Sequence, residues 1–194
     1  MPNSLNERFV NLENSEFGDV RGVTRATDKE TGDIVMIKWI QIRSQAQLEE
    51  AEEEARNLSA IKHPFIVEFI EFLPEMRLDW WRFGLLSFIA MEYCEGGSLV
   101  DWIQRKKRAG RTSKPEEVAL IGAQIVSALS YCHKRKILHL DLKPANVFVK
   151  ADQITVKLGD FGSASEVRSV TRTSNTTNAH DVRNTELYAP PGKA

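Results

Sequence analysis

The stretch "HLDLKPANVF", residues 139–148, interrupts an apolar sequence with three polar side chains. Asp141 lies between two leucines, Lys143 follows two residues later, and Asn146 follows the aspartate by five residues. Asp and Asn often cap turns, which is the plain structural interpretation. A second stretch, "LGDFGS", adds Asp160. Together the two aspartates and the asparagine offer oxygen ligands for a hard cation, and Mg²⁺ combines such ligands with phosphate oxygens.

Size and composition place limits on the function. The 194 residues suffice for one domain or two small lobes, and 42% hydrophobic with 27% charged residues is typical of a soluble globular protein. A net charge of −1 argues against a general nucleic-acid binder, so no nucleic-acid partner is predicted. Cys94 and Cys132 form no disulfide framework and suit a reducing compartment. Without a signal-peptide core or a bilayer-length apolar run, we predict no membrane partner and a cytoplasmic, intracellular protein, with the nucleus as an open alternative.

The first half of the chain is predicted to form strands. The segments "FVNLE", "VRGVTRAT" and "IVMIKWIQI" are rich in β-branched residues, and the polar turn "DKETGD" makes residues 20–43 a hairpin. Ser44 and Gln47 have capping-box spacing and begin a helix that is predicted to end at Pro64. The segments "IVEFIEFL" and "LLSFIAMEY" supply two more strands.

Helices dominate the second half. The connector "CEGGS" follows the strands, so we place the boundary between lobes 1–94 and 95–194 there. "SLVDWIQRKK" predicts a short helix, and Ser113 with Glu116 predicts the capping box of a longer one that runs to about Lys134. The apolar face of the longer helix carries Val118, Ile121, Ile125, Leu129 and Cys132. "VFV" and "TVKL" predict a hairpin. A sheet followed by helices indicates an α+β protein of two lobes with a ligand cleft between them.

Lys38 lies inside the apolar strand segment "VMIKWI". A lysine is costly to bury alone, so it either extends to solvent or pairs with a carboxylate. Glu54 is the candidate partner because it lies beside the apolar stripe of the Ser44 helix, three residues after Ala51 and four before Leu58. The alternative is an exposed lysine and a solvated glutamate, since the same helix carries five glutamates.

These residues occur in a known order: a strand lysine, a helix glutamate, His-x-Asp with an asparagine five residues after the aspartate, and Asp-Phe-Gly. With this order the chain resembles a eukaryotic protein kinase from about Phe9 to its end. "KILHLDLKPANVFVKADQITVKLGDFGSA" is similar to the NIMA-related serine/threonine kinases. The resemblance implies a two-lobed, protein-kinase-like α+β fold. It has an antiparallel five-stranded N-lobe sheet with one helix, and a mainly helical C-lobe that is incomplete relative to the family.

The resemblance also implies ATP and Mg²⁺ as cofactors and a protein Ser or Thr hydroxyl as the phosphoryl acceptor, because "DLKPAN" favours Ser/Thr over Tyr. Lys38 would hold the α- and β-phosphates, and Glu54 would orient it. Asp141 would accept the hydroxyl proton, and Lys143 would neutralise the transferring phosphoryl group. The implied Mg²⁺ ligands are Asn146 and Asp160.

The implied phosphate loop is poor in glycine. "ENSEFGDV" supplies Phe17, Gly18 and Val20 in register, while Glu13 and Ser15 stand where the family has glycines that let backbone N–H groups approach phosphates. A shifted register, "FGDVRGV", uses Gly18 and Val23 instead. We prefer the first register.

Other positions are implied to surround the adenine. Met91 would be the gatekeeper behind it, and the Glu92 carbonyl and the Cys94 backbone would meet its edge. Met36 replaces a small alanine and would crowd the purine unless its flexible side chain packs aside. Phe148 completes the implied nucleotide contacts.

Further departures from the family concern regulation and the end of the chain. Leu140 replaces the arginine that reads a phosphorylated activation loop, and leucine cannot pair with phosphate. In "TELYAPPGKA", Gly192 takes the place of a glutamate. More helices follow in the family, so the helix that ends near Lys134 would be partly uncovered, which predicts a protein partner over the incomplete C-lobe.

Two functions therefore compete. The first is an ATP-dependent serine/threonine protein kinase, which rests on the retained polar residues. The alternative is a kinase-like scaffold or pseudokinase with weak or no phosphotransfer, which rests on the departures. Its binding surface could include "DWWRF" at residues 79–83.

Overall fold

The computed structural model describes residues 5–12, 21–77 and 85–166. They fall into two compact units: a first drawn from Met1–Lys62 and Val67–Tyr93, and a second drawn from His63–Ile66 and Cys94–Ala194. Within these residues, no helix is both long enough and apolar enough to cross a membrane.

The first unit is built on a five-stranded antiparallel sheet, as predicted. Its strands are β1 (Phe9–Val10), β2 (Arg21–Asp28), β3 (Ile34–Ile42), β4 (Phe69–Arg77) and β5 (Leu85–Glu92). Their order in the sheet is β1-β2-β3-β5-β4. Strand β1 is shorter than "FVNLE" predicts, because the backbone at Asn11 adopts a left-handed conformation with φ 55 that ends the extended stretch.

The β2–β3 hairpin sets which residues are neighbours across the sheet. Gly32, with φ 78, allows the turn, and the N–H of Asp28 donates to the carbonyl of Asp33 at 2.9 Å. In the resulting register Val23 is the direct partner of Lys38, and Arg25 that of Met36. Directly opposed residues of antiparallel strands point to the same face.

Helix α2 (Gln45–Ser59) begins as predicted, with the Ser44 hydroxyl accepting from the Gln47 N–H at 3.3 Å. The Gln47 side chain accepts from the Arg43 N–H rather than from the cap itself. The predicted end at Pro64 is wrong, because the helix stops at Ser59 and Ile61 turns into a buried position. The residue before a proline avoids helical geometry, which favours ending the helix early.

Apolar residues pack on both faces of β3. Val35, Ile37 and Trp39 join a core with residues from the N-terminal segment and from β5. On the other face, Ile40 and Ile42 pack against Ala51 of α2. The alternation of strand side chains therefore places Lys38 on the face covered by α2.

A short helix that the sequence pattern does not predict, α1 (Leu5–Arg8), links two strands that are far apart in the sheet order. Arg8 Nη2 lies 2.9 Å from Asp28 Oδ2 at the end of β2. Its Nη1 lies 3.0 Å from Glu71 Oε2 on the edge strand β4. One guanidinium thus joins β2 to β4, which lies three positions away in the sheet order, so the sheet is curled.

We expect Arg8→Ala to lower the free energy of unfolding by about 2–4 kcal/mol, because the buried Asp28 carboxylate loses its cation.

The effect of Arg8→Ala should also depend on pH. Burial acts to raise the pKa of Asp28, but the hydrogen bonds from Arg8 and from the Glu30 N–H outweigh it and lower that pKa. The lowered pKa contributes stability above the ordinary value of about 3.9, which is lost as the pH falls through the folded-state pKa. The stability difference between the two proteins should therefore shrink in urea titrations at acid pH. Lys62→Ala, which breaks an exposed pair with Glu68, is the control and should change stability by less than about 0.5 kcal/mol.

The second unit is mainly helical. It contains α3 (Leu99–Arg108), α4 (Pro115–Lys134) and two small sheets, β6 (Ile137–Leu138) with β9 (Ser165–Glu166) and β7 (Val147–Val149) with β8 (Val156–Leu158). One-turn 3₁₀ helices lie at Pro144–Asn146 and Phe161–Ser163. The predicted short helix, long helix and hairpin are thus all present.

The start of α4 differs from the prediction by one residue. The capping residue is Lys114 rather than Ser113, and the Glu117 carboxylate, rather than that of Glu116, accepts from the Lys114 N–H at 2.9 Å. Pro115 explains the shift, because its fixed φ and missing N–H suit the first helical position.

The buried face of α4 also differs from the predicted stripe. Ile121 and Cys132 are buried, but Val118 is 57% exposed. Gln124 is buried instead, and its side-chain amide accepts from the Val156 N–H at 2.9 Å and donates to the Ile154 carbonyl at 3.1 Å. A hydrophobicity pattern misses this position because glutamine is polar, although both ends of its amide are satisfied.

Candidate active site

Three predicted residues of the "HLDLKPANVF" stretch are bonded to one another in the second unit. The Asp141 carboxylate is 11% exposed, and its Oδ2 lies 2.6 Å from Lys143 Nζ and 3.0 Å from Asn146 Nδ2. Asn146 Nδ2 also donates to the Asp141 carbonyl at 2.9 Å. The asparagine therefore fixes both the backbone and the side chain of the aspartate.

The backbone turns sharply just before Asp141. Leu140 has φ 60, and the Asp141 N–H donates to the His139 carbonyl at 2.9 Å, which closes a γ-turn around the leucine. A leucine in left-handed geometry is strained by its Cβ. Strain of this kind persists where surrounding bonds over-determine the geometry, as often occurs at functional sites.

Asp160 and Asn146 lie at the same end of the β7–β8 hairpin. The Gly159 N–H donates to the Asn146 carbonyl at 2.9 Å, which brings the residue before Asp160 to the asparagine. Asp160 also has left-handed geometry, with φ 59 and ψ 70. Since Asn146 Nδ2 is used by Asp141, its Oδ1 is the amide atom that could bind a cation.

His139 links the Asp141 loop to the Asp160 segment. Its Nε2 donates to the Gly159 carbonyl at 2.9 Å, and its ring meets that of Phe161 edge-on with centroids 4.9 Å apart. Burial lowers the pKa of His139, and Lys143 acts in the same direction, while the Gly159 carbonyl and the carboxylates of Asp160 and Asp141 act to raise it. The lowered pKa keeps the ring neutral near pH 7, with the proton on Nε2.

We expect the second unit to lose stability on acidification because of this histidine. A histidine whose folded-state pKa is lowered stabilises the fold fully above its unfolded value of about 6.5, and that stability is lost as the pH falls through the folded value. Urea unfolding at pH 7.5 and 5.5 should show a smaller pH effect in His139→Gln than in the parent. His133→Gln, at an exposed position, is the control and should leave the pH effect unchanged. Equal pH effects in the parent and in His139→Gln would contradict the assignment.

The predicted Lys38–Glu54 pair forms in the first unit. Lys38 Nζ lies 2.6 Å from Glu54 Oε1, and the glutamate is only 4% exposed. Of the five glutamates on α2, Glu54 is the only one that the structure buries. The pairing with the strand lysine explains how that carboxylate is tolerated there.

Three residues that were predicted to meet adenine, Met36, Met91 and Glu92, lie on the same pair of strands as Lys38, β3 and β5. Met36 is the cross-strand partner of Met91, and both are half-buried. Glu92 lies opposite Val35 and its N–H donates to the Glu68 carbonyl at 2.9 Å.

Val23 was left out of the preferred phosphate-loop register, yet it lies directly opposite Lys38 and is exposed. The hairpin register, counted back from Gly32, is the signal that could have selected it. The preferred residues Phe17, Gly18 and Val20, and the substituted positions Glu13 and Ser15, lie outside the described residues. The same holds for "DWWRF" and for Gly192.

Cys94 and Phe148 both belong to the second unit. The Cys94 carbonyl accepts from the Gly97 N–H at 3.1 Å, and Phe148 pairs with Ser98 in an isolated bridge. Gly96 lies so close to the β7 backbone that a Cβ on it would come within 2.6 Å of the Val149 carbonyl oxygen. The connector therefore needs glycine at this position.

The residues present fit a magnesium ion that takes part of its ligands from a bound phosphate group better than a metal site made of protein ligands alone. Within residues 5–12, 21–77 and 85–166, no group of three or more His, Cys, Asp or Glu side chains could hold a metal. Mg²⁺ commonly takes one or two carboxylates and completes its shell with water and substrate phosphate. One carboxylate, Asp160, with one amide oxygen, that of Asn146, matches such a site.

The fold is that of a protein kinase: an α+β protein of two lobes with an antiparallel five-stranded sheet and a partial, mainly helical second lobe. The family pattern described as "Protein kinase domain" matches residues 15–192. The chain belongs to the protein kinase family, which confirms the resemblance that the sequence motifs indicated.

Its similar relatives are serine/threonine-protein kinases. A protein described as "Probable serine/threonine-protein kinase zyg-1" from Caenorhabditis briggsae is 35% identical over 82% of this chain and 21% of the relative. Serine/threonine-protein kinase Nek1 of Mus musculus is 34% identical over 88% of this chain and 13% of the relative. Serine/threonine-protein kinase Nek2 of Homo sapiens is 33% identical over 81% of this chain and 35% of the relative. The Nek kinases confirm the similarity to the NIMA-related group. The chain spans about a third or less of the length of these three relatives.

Proposed function

We propose that this chain transfers the γ-phosphoryl group of MgATP to a Ser or Thr hydroxyl of a protein. The observation that carries the proposal is the Asp141 carboxylate held by Lys143 at 2.6 Å and by Asn146 at 3.0 Å. A carboxylate, a cation and an amide oxygen fixed within one short loop supply the base, the charge neutralisation and the metal ligand of phosphoryl transfer.

In this proposal Asp141 accepts the proton of the substrate hydroxyl and orients its oxygen for in-line attack on the γ-phosphorus. Lys143 places a positive charge at the loop, where it offsets the negative charge of the transferred group. The γ-turn at Leu140 and the hydrogen bonds from Asn146 hold the aspartate in one orientation, so little reorganisation is needed during the reaction.

Asn146 Oδ1 and the Asp160 carboxylate would hold Mg²⁺, which when bound neutralises phosphate charge. Asn146 would then serve both the metal and Asp141, because its Nδ2 already binds the aspartate. The His139 hydrogen bond to Gly159 links the loop that carries Asp141 to the segment that carries Asp160.

Lys38 would hold the α- and β-phosphates in the orientation fixed by Glu54. For the nucleotide-covering valine we now favour Val23 over Val20, since Val23 lies beside Lys38 in the sheet. Met36 and Met91 would both line the adenine side, and two flexible methionines can repack around a purine.

Leu140 implies a consequence for regulation. With no guanidinium at this position, a phosphate on the activation segment cannot be read through residue 140. We therefore expect phosphatase treatment to leave activity unchanged. Loss of activity after that treatment, with recovery after rephosphorylation, would contradict this expectation.

Thermal melting with and without MgATP tests the nucleotide-binding part of the proposal. A ligand that binds only the folded chain raises the melting temperature. We expect a rise with millimolar MgATP, and no rise in Lys38→Met. No shift in the parent would favour the alternative, a kinase-like scaffold.

A protein partner over α4 also stays a prediction. Val118 and Val126 of that helix are exposed among the described residues, which supports it.

A further inference from the structure

The end of α3 and the loop that follows it concentrate positive charge. Six of the ten residues 105–114 are Lys or Arg and none is Asp or Glu, although the whole chain has a net charge of −1. We call this segment the basic turn. Its charged members are Arg105, Lys106, Lys107, Arg108, Arg111 and Lys114.

Two of the six have a structural role. Arg105 Nη2 donates to the Gly96 carbonyl at 2.6 Å and contacts Gln153 Oε1 at 3.2 Å. Lys106 pairs with Glu117 and lies over the Trp102 ring, 4.3 Å from its centroid. These contacts attach α3 to the rest of the second unit, so the positive charges of Arg105 and Lys106 are explained by contacts within the fold.

The other four are exposed, and among the described residues none of them forms an ion pair. They are Lys107, Arg108, Arg111 and Lys114. Their nearest carboxylates are engaged elsewhere: Asp101 caps α3 through Ser98, and Glu117 binds Lys106. Four cations are therefore presented to solvent on one short segment.

The stability of the helices does not account for all four. Cations in the last turn of α3 are favoured by the helix dipole, which explains Lys107 and Arg108. Arg111 lies beyond the helix. Lys114 occupies the N-cap of α4, where the dipole disfavours a cation and an accepting side chain is preferred. At least two of the charges thus have no structural explanation.

The backbone of the turn is fixed by hydrogen bonds, so the positions from which the charged side chains extend are set. Gly110 has φ 64, the Gly110 N–H donates to the Lys107 carbonyl at 3.1 Å, and the Arg111 N–H donates to the Lys106 carbonyl at 2.9 Å. These bonds resemble the left-handed closure that ends many helices. Binding an anionic partner would therefore require little ordering of the turn.

We propose that the basic turn is a docking surface for an Asp/Glu-rich segment of a partner protein. The cations are spread over eight residues, 107–114, which matches a run of separate carboxylates better than a single phosphate group. Two of them are arginines, whose planar guanidinium pairs with carboxylate in bidentate geometry.

Membrane and nucleic acid fit the surface less well. A polybasic patch needs a second, apolar signal for stable membrane attachment, and the aromatic residue nearest to the basic turn in sequence, Trp102 of α3, is buried under Lys106. The same burial removes a stacking platform for single-stranded nucleic acid. The proposal concerns binding alone, so it stands or falls independently of phosphotransfer.

Fluorescence anisotropy with a labelled Gly/Ser peptide carrying about eight glutamates tests the proposal, with a glutamine-for-glutamate peptide as the blank. We expect saturable binding at low salt that weakens with added salt, as an exposed electrostatic contact does. Lys107→Glu combined with Arg111→Glu should weaken binding at least about tenfold. The matched control, Lys134→Glu with Lys136→Glu, makes the same charge change at the end of α4 and should leave binding within about twofold.

Several outcomes would overturn the proposal: no binding, equal weakening in both double variants, or tighter binding of an oligonucleotide of equal charge or of phosphatidylserine vesicles. A dimer in sedimentation that Lys107→Glu and Arg111→Glu dissociate would assign the surface to a second copy instead. Lys107→Gln with Arg111→Gln removes the charges without reversing them, so it replaces the glutamate variant should that variant fail to fold.

Discussion

Asp141→Asn is expected to lower kcat for phosphoryl transfer by about 10²–10⁴-fold, the range typical of losing a positioned general base. An amide cannot take the hydroxyl proton. It would also present either an oxygen or an NH₂ group to Lys143 and Asn146, and the NH₂ orientation would face donors on both sides. The measurement is steady-state transfer to a Ser/Thr peptide at saturating MgATP.

The affinity for MgATP separates this role from a general structural defect. Asp141→Asn should bind MgATP within a few-fold of the parent and should melt within a few degrees of it, because the residue is replaced by one of equal size. Asp33→Asn, at the exposed β2–β3 turn, is the control and should retain the parental kcat. An Asp141→Asn variant with parental kcat would show that Asp141 is not the base.

Lys38→Met is expected to abolish measurable transfer, with a loss of about 10²-fold or more, because the variant lacks the charge that we propose holds the phosphates. The same change should lower the free energy of unfolding by about 2–4 kcal/mol. The Glu54 carboxylate, 4% exposed, loses the cation 2.6 Å away, and the figure is below that of a fully buried pair because Lys38 is partly exposed. Urea unfolding and label incorporation measure the two effects separately.

A double-mutant cycle distinguishes the two consequences of losing Lys38. Adding Glu54→Gln to Lys38→Met should recover part of the stability, since a neutral amide is cheaper to bury, but should recover no transfer. Glu53→Gln, on the exposed side of the same helix, is the matched control and should change neither property. Parental phosphate incorporation by Lys38→Met would contradict the assigned role of the lysine.

Local sequence patterns predicted the elements whose determinants lie close together in the chain. The β2–β3 hairpin follows from its polar turn with Gly32, and the start of α2 follows from Ser44 and Gln47. Helix α1 was missed because its four residues are too few for a periodic pattern, and its contacts are to distant residues such as Asp28 and Glu71. The exact cap of α4 depended on Pro115, which outweighs the competing Ser113 signal.

The candidate site shows the same division. Asp141, Lys143 and Asn146 were predicted together because they lie within six residues, and the structure bonds them. The partner of Lys38 could be selected from spacing along α2. The neighbour of that lysine across the sheet, Val23, was missed, because register is set by hydrogen bonds between strands rather than by composition and emerges only when residues are counted back from the Gly32 turn.

Incubation of the chain with γ-labelled ATP, Mg²⁺ and paired peptides that differ only in Ser, Thr or Tyr as acceptor tests whether the chain is a serine/threonine phosphotransferase. We expect label on the Ser and Thr peptides, little on the Tyr peptide, and none without Mg²⁺. Binding of MgATP by the parent with no label on any peptide above the level of Asp141→Asn would contradict it and would identify the chain as a nucleotide-binding scaffold.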